Sequence, residues 1–199
     1  MRPLVCTALL FALASPPVSA DHCHGGAHDV PTTSPSAEPR TRAVSVPDVT
    51  VVDQDGRALR FHSDLVKGRV VVISFIYTTC TTVCPVIGAS QLQLRRHLGD
   101  RVGRDVHLVS ITLDPVNDTP RRLREWGAKF QAGGGWTLVT GAKDAVDRLL
   151  KGLGAFTPDK EAHAPFILVG NDVTGVWERT SGFTPPARLA ELIDTVAQR

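Results

Sequence analysis

The chain has 199 residues, of which 42% are hydrophobic and 21% are charged, a composition suited to one globular domain and unlike that of a fibrous or wholly disordered protein. Its 22 basic and 20 acidic residues give a formal net charge of +2, which argues against a nucleic-acid-binding protein. Its 4 cysteines are too few for a small fold held together by disulfides.

Residues 1–20 have the pattern of a secretory signal peptide. Arg2 precedes an apolar run over 4–14, and Val18 and Ala20 supply the small residues that precede a cleavage site. The run of 11 residues (14 − 4 + 1) is shorter than the roughly 20 that a membrane span requires. We therefore predict that the protein is exported, to the periplasm, and is membrane-anchored only if the signal remains uncleaved.

The segment 21–46 has the composition of a tether. It contains several prolines and no apolar periodicity, which predicts an extended, disordered chain. His22, Cys23 and His24 lie at its start, and imidazole and thiolate both bind copper and zinc. We predict a weak metal site there, the alternative being a solvated leader.

From residue 47 onward the pattern becomes globular, and a single domain is predicted over 47–199. Strands and helices follow one another in the order ββ, βα, βα, βα, ββ, α. The predicted strands are 49–52, 58–61, 69–76, 106–113, 136–139, 166–169 and 173–179. The predicted helices begin near residues 81–82, 120, 142 and 186. This order predicts an α/β sandwich with a central mixed sheet, flanking helices and an N-terminal hairpin, as in thioredoxin-like domains.

Two cysteines follow the strand predicted over 69–76. Pro85 is compatible only with the first turn of a helix, so Cys80 should precede the helix and Cys84 should lie in its first turn. Both then face the positive end of the helix dipole, which stabilises a thiolate. The pair can be a disulfide, a redox-active dithiol or two metal ligands.

A metal held by the two thiolates needs a third ligand, for which we favour His163. It ends a long loop before the strand predicted at 166–169, where the loop can fold over the cysteines. His62 is expected at the surface, His97 too far along the helix, and His107 at the opposite end of the sheet. Two thiolates and one imidazole form a soft site suited to Cu(I), whereas structural zinc usually takes a fourth protein ligand.

Asp114 directly follows the next predicted strand, so it should lie at the same sheet edge as the cysteines. One interpretation is a solvated carboxylate at a strand end. The other is a role in supporting the metal site or in docking a partner.

The runs FIYTTCTTVCP, SITLDPVNDTP and KEAHAPFILVGN make the chain similar to the Sco (SenC) family of copper chaperones from about Pro47 onward. The resemblance implies a thioredoxin-like fold, with Cys80, Cys84 and His163 as copper ligands. It also implies a role in building the binuclear copper centre of cytochrome c oxidase, whose copper-site subunit would be the partner. Thr81-Thr82 and Ala162 depart from the family pattern, which often has Pro-Asp and Asp there.

The sequence is compatible with two functions. The first is a copper chaperone that delivers copper to cytochrome c oxidase or prepares the thiols of its copper site. The second is a periplasmic thiol–disulfide reductase that uses Cys80 and Cys84 with a thiol reductant as partner. A peroxiredoxin is disfavoured, because Ile73 and Tyr77 occupy the positions where that class requires Pro and Ser or Thr.

Overall fold

The computed structural model describes residues 44–199. The signal peptide predicted over 1–20 and the candidate tail ligands His22, Cys23 and His24 therefore lie outside the described residues. Within 44–199, no helix is both long enough and apolar enough to cross a membrane.

Residues 44–199 form seven strands and four α-helices, numbered in chain order. The strands are β1 (Thr50–Asp53), β2 (Ala58–Arg60), β3 (Val70–Ile76), β4 (Val106–Thr112), β5 (Trp136–Thr140), β6 (Phe166–Asn171) and β7 (Val176–Ser181). The helices are α1 (Val83–Leu98), α2 (Pro120–Ala128), α3 (Lys143–Gly152) and α4 (Pro186–Gln198). Shorter helical segments are a π-helix (Phe61–Val66) and 3-10 turns at Gly99–Arg101 and Lys160–Ala162.

One mixed sheet contains all seven strands, in the order β2-β1-β5-β4-β3-β6-β7. At its centre, β3 pairs in parallel with β4 and antiparallel with β6. The β-branched sequence of β3 suits a strand covered on both faces. The ends of β3 and β4 therefore meet the beginning of β6 at one edge of the sheet, which we call the carboxyl edge.

Helices cover both faces of the sheet, and β3 contributes alternate residues to two cores. Val71, Ile73 and Phe75 pack into the core beneath α3 and the π-helix. Val72 and Ile76 pack into the core beneath α1, α2 and α4. The α/β sandwich with a mixed sheet and an N-terminal β1–β2 hairpin is thus confirmed.

The last hairpin differs from the prediction, which placed its turn at 170–172. β6 continues to Asn171, and the turn occupies 172–175. The Asn171 side chain accepts a hydrogen bond from the Val173 N–H at 3.0 Å, and the Asn171 carbonyl accepts one from the Gly175 N–H at 2.9 Å. Gly175 has a φ of 70°, a conformation that glycine adopts without strain, which explains why the turn ends at this residue.

The described chain begins with residues that contact the domain. Val44 and Val46 pack against the core beneath α3, and the Ser45 N–H donates to the Gly152 carbonyl at 3.1 Å. These contacts hold residues 44–46 beside the end of α3.

Candidate metal centre

The cysteine pair lies at the carboxyl edge, where the turn after β3 leads into α1. The helix begins at Val83 with Thr82 as its N-cap residue, so Cys84 is in the first turn, as Pro85 predicts. Cys80 and Cys84 are free thiols, 8% and 4% exposed. Both belong to the core beneath α1.

The sulfur of Cys80 accepts hydrogen bonds at the start of α1. The Cys84 N–H donates to it at 3.3 Å, and this amide is one that a helix leaves without an internal partner. Burial opposes ionisation, but the Cys84 amide and thiol, the Thr82 amide and the Tyr77 hydroxyl outweigh it and lower the pKa of Cys80 to about 7. Cys80 is therefore substantially a thiolate near neutral pH.

Cys84 is tuned in the opposite direction. Burial is the main reason that its pKa rises to about 12. A backbone hydrogen bond from Tyr77 lowers this pKa, but the neighbouring negative charges of Cys80 and Asp118 raise it further. Burial and the contact with Cys80 also raise the pKa of Tyr77 to about 12, so its phenol stays a donor at neutral pH. One reactive thiolate thus lies beside one protonated thiol.

His163 lies at the same edge of the sheet as the cysteines. It follows the 3-10 turn Lys160–Ala162 and comes shortly before β6. β6 runs antiparallel to β3, with Ile167 opposite Ser74, so the loop before β6 lies beyond the end of β3. The loop before β6 therefore lies at the carboxyl edge.

The His163 ring packs between aromatic side chains. Its centroid is 5.7 Å from that of Phe75 and 5.5 Å from that of Phe166. Burial, together with the positive charge of Arg179, lowers the pKa of His163, which keeps the imidazole neutral. Its Nε2 is buried and has no hydrogen-bond partner among residues 44–199. A neutral ring with an unpartnered nitrogen fits a soft metal ion.

The three predicted ligands are not assembled around one point. Among the described residues, no group of three or more His, Cys, Asp or Glu side chains is arranged to hold a metal ion. Phe75 and Phe166, against which His163 packs, belong to the core beneath α3, whereas both cysteines belong to the core beneath α1. The three donors therefore lie at one edge of the sheet without forming a closed three-ligand cluster.

Asp114 lies just beyond β4 at the carboxyl edge, as predicted, but it is not a solvated carboxylate. It is only 8% exposed. Its carboxylate binds the Lys160 Nζ at 2.9 Å and accepts from the Asn117 amide at 2.9 and 3.0 Å. Burial disfavours its charge, but Lys160 and Asn117 outweigh burial and lower the pKa of Asp114.

Asp118 is a second buried carboxylate at this edge, which the local sequence pattern does not single out. It is fully buried and accepts from the Thr78 N–H at 3.1 Å, the Thr78 hydroxyl at 2.5 Å and the Thr112 hydroxyl at 2.6 Å. Burial raises the pKa of Asp118, although these hydrogen bonds oppose the rise. An aspartate just before a helix is usually a solvated loop residue, so the signal that could have found it is its place in the run SITLDPVNDTP.

The other histidines of the domain lie away from the cysteines. His62 is not simply a surface residue, because it is half-buried and its Nε2 lies 2.8 Å from the Asp172 carboxylate. His97 is exposed near the end of α1. His107 is the second residue of β4 and pairs with Val71, at the end of the sheet opposite the carboxyl edge.

Comparison with known proteins identifies the family. A model of the SCO1/SenC family matches residues 37–197. The chain belongs to the SCO1/SenC family. A Stutzerimonas stutzeri protein with a provisional name, copper-binding protein, is 32% identical over 129 residues, which are 64% of this chain and 60% of that protein. The SCO1 protein homolog of Bacillus subtilis is 30% identical over 132 residues, which are 62% of this chain and 67% of that protein.

A solved structure supports the same assignment. BsSco, described as having a disulfide switch and as a member of the Sco family of cytochrome c oxidase assembly proteins, superposes with a TM-score of 0.65 at 25% identity. The match covers 81% of this chain and 96% of that one. The thioredoxin-like fold predicted from the strand–cysteine–helix order is thereby confirmed.

Proposed function

We propose that this protein is a copper chaperone that binds copper through Cys80, Cys84 and His163. It delivers the copper to the binuclear copper site of cytochrome c oxidase, or prepares the thiols of that site, and its partner is the copper-site subunit. The compartment is outside the cytoplasm, in the periplasm.

The observation that carries the proposal is the set of donors at the carboxyl edge. Cys80, with a pKa of about 7, supplies a thiolate at neutral pH, and copper can displace the proton of Cys84 beside it. The buried Nε2 of His163, unpartnered within 44–199, supplies the imidazole. Two sulfurs and one nitrogen match the preference of Cu(I) for soft ligands. The copper-binding name of the Stutzerimonas relative adds support.

A titration with a competing chelator tests the ligand set. The reduced protein should bind one copper ion tightly, and X-ray absorption should show two sulfur neighbours and at least one nitrogen or oxygen. Replacing both Cys80 and Cys84 by Ser should abolish this site, and His163→Ala should weaken it. His97→Ala, which alters an exposed histidine on the same helix as Cys84, should change nothing. Unchanged copper binding in the double serine variant would overturn the proposal.

The second candidate function is thiol–disulfide exchange by the same pair, and the contrast between the two thiols favours it. The Cys80 thiolate can attack a partner disulfide, which releases one partner sulfur as a thiolate and forms a mixed disulfide. Cys84 then loses its proton to the departing second partner sulfur as it attacks the Cys80 sulfur, so the partner leaves as a dithiol and Cys80–Cys84 becomes the disulfide. Cys84→Ser should trap a partner on Cys80, whereas Cys80→Ser should trap much less. The two functions can share one site because both use the reduced pair. Only the reduced cysteines supply the thiolate that binds a metal or attacks a disulfide.

A further inference from the structure

The turn between β4 and α2, residues Leu113–Thr119, contacts both loops that carry candidate ligands. Asp118 binds the loop before Cys80, and Asp114 binds Lys160 in the loop before His163. We propose that this β4–α2 turn sets the positions of the Cys80 loop and the His163 loop relative to each other. The positioning residues are Asp118, which lies in the turn, and Lys160, which binds Asp114 of the turn from the His163 loop. The link to copper rests on the proposed function, but the positioning itself can be tested without metal.

The first contact secures the chain before Cys80. The Asp118 carboxylate accepts from both the N–H and the hydroxyl of Thr78, two residues before Cys80. The acceptor side of these bonds is shielded from water, because Asp118 is fully buried. Hydrogen bonds to a buried charged group are among the stronger ones in proteins. Asp118 therefore binds both the backbone and the side chain of Thr78 in the Cys80 loop.

The second contact secures the loop before His163. The Lys160 Nζ lies 2.9 Å from the Asp114 carboxylate and 5.6 Å from the centre of the Tyr77 ring. Lys160 begins the 3-10 turn that ends just before His163, and its carbonyl accepts from the His163 N–H at 3.4 Å. One ammonium thus ties the His163 loop to the β4–α2 turn and to the residue that follows β3.

The two contacts are joined by a compact turn. The Asp114 carbonyl accepts from the Asp118 N–H at 2.8 Å and from the Asn117 N–H at 3.1 Å. The Thr112 hydroxyl accepts from the Asp114 N–H at 2.9 Å and donates to the Asp118 carboxylate at 2.6 Å. A shift of either aspartate therefore disturbs bonds to the other, so the two loops share one support.

The structural part of the proposal is tested by amide hydrogen exchange of the metal-free, reduced protein. Lys160→Met removes the charge and keeps the aliphatic stem, so amides of residues 160–164 should exchange about threefold or more faster. Lys160→Arg should restore the wild-type rates. Arg148→Met removes another cation that pairs with an aspartate, Asp144, on the exposed side of α3 and should leave residues 160–164 unchanged.

The Cys80 contact has its own variants. Thr78→Val removes the hydroxyl donor, and amides of residues 78–84 should then exchange faster while residues 160–164 change less. Thr78→Ser keeps the hydroxyl and should behave as wild type. Because the serine variant retains the bond, it separates loss of positioning from a general loss of folding.

Copper loading supplies a readout that a merely structural contact would not move. In the Cu(II) form, electron paramagnetic resonance should show weakened nitrogen coupling in Lys160→Met with the sulfur contribution retained, and Lys160→Arg should restore the coupling. Exchange rates and nitrogen coupling in Lys160→Met equal to those of wild type would overturn the inference. A wild-type protein that binds no copper would overturn the proposed function instead, and the metal-free exchange rates would still decide the positioning.

Discussion

Cys80 and Cys84 carry the same side chain four residues apart, yet their environments separate their chemistry. Cys80 receives donors from the start of α1 and from the Tyr77 hydroxyl, which lower its pKa to about 7 despite burial. Cys84 is buried beside negative charge, which raises its pKa to about 12. At the residue scale, the site therefore has one cysteine that is ionised near neutral pH and one that stays protonated there.

This contrast predicts the pH dependence of alkylation in the reduced protein. A lowered pKa means that the reactive thiolate is present above pH of about 7 and is lost as the pH falls through that value. Cys80 should therefore react with iodoacetamide with a midpoint near 7, while Cys84 should react little below pH 9, as peptide mapping by mass spectrometry would show. Tyr77→Phe should raise the Cys80 midpoint. Alkylation of Cys80 and Cys84 with the same pH midpoint would contradict these pKa assignments.

At the element scale, α1 combines two requirements, a polar start and a closely packed body. Its N-cap residue, Thr82, makes no side-chain capping bond, and the Cys80 sulfur accepts from the first turn instead. Further along, Gly88 lies against the Phe130 ring, where an added Cβ would approach ring carbons to 2.6 Å. The missing side chain at Gly88 is what lets α1 lie this close to the segment after α2.

Gly88→Ala is expected to destabilise the protein by about 1–3 kcal/mol, because the added methyl group must displace a packed ring. The better helix propensity of alanine offsets part of this cost. The free energy of unfolding from urea denaturation provides the measurement. Ser90→Ala, on the same helix, should cost little, since its hydroxyl has no partner within 44–199. Equal stability of Gly88→Ala and wild type would show that the ring moves away freely.

At the scale of the whole molecule, sheet topology joins residues that the sequence separates widely. The parallel pairing of β3 with β4 places the Cys80 loop beside the β4–α2 turn. The antiparallel β6 then returns the chain so that His163 reaches the same edge. The predicted tail ligands precede Val44, where the described chain begins beside the end of α3.

The tail is expected to act as a second, weaker copper site. A segment with the composition that predicts disorder over 21–46 must lose chain entropy to gather its ligands, so His22, Cys23 and His24 should bind less tightly than a site supported by the fold. Replacing them by Ala, Ser and Ala in the full chain should remove weakly bound copper and leave the tight ion in place. Competition with a chelator measures the amounts of weakly and tightly bound copper separately. Loss of the tight ion in this variant would contradict two independent sites.

The sequence by itself determined the features that depend on neighbouring residues. Alternating and helical apolar patterns located the strands and helices to within a few residues, because burial of one face is encoded locally. Pro85 likewise fixed the start of α1 and so the placement of Cys80 and Cys84. The resemblance to the Sco family rested on runs of this kind, and family and fold were both confirmed.

Tertiary structure alone decided the features that depend on distant contacts. Asp118 is a buried acceptor only because β3 and β4 are adjacent and bring Thr78 to it, and Asp114 is paired only because the loop after α3 presents Lys160. The opposite pKa shifts of Cys80 and Cys84 follow from burial and donors supplied by that packing. Ionisation and hydrogen bonding respond to three-dimensional surroundings, which no local sequence pattern specifies.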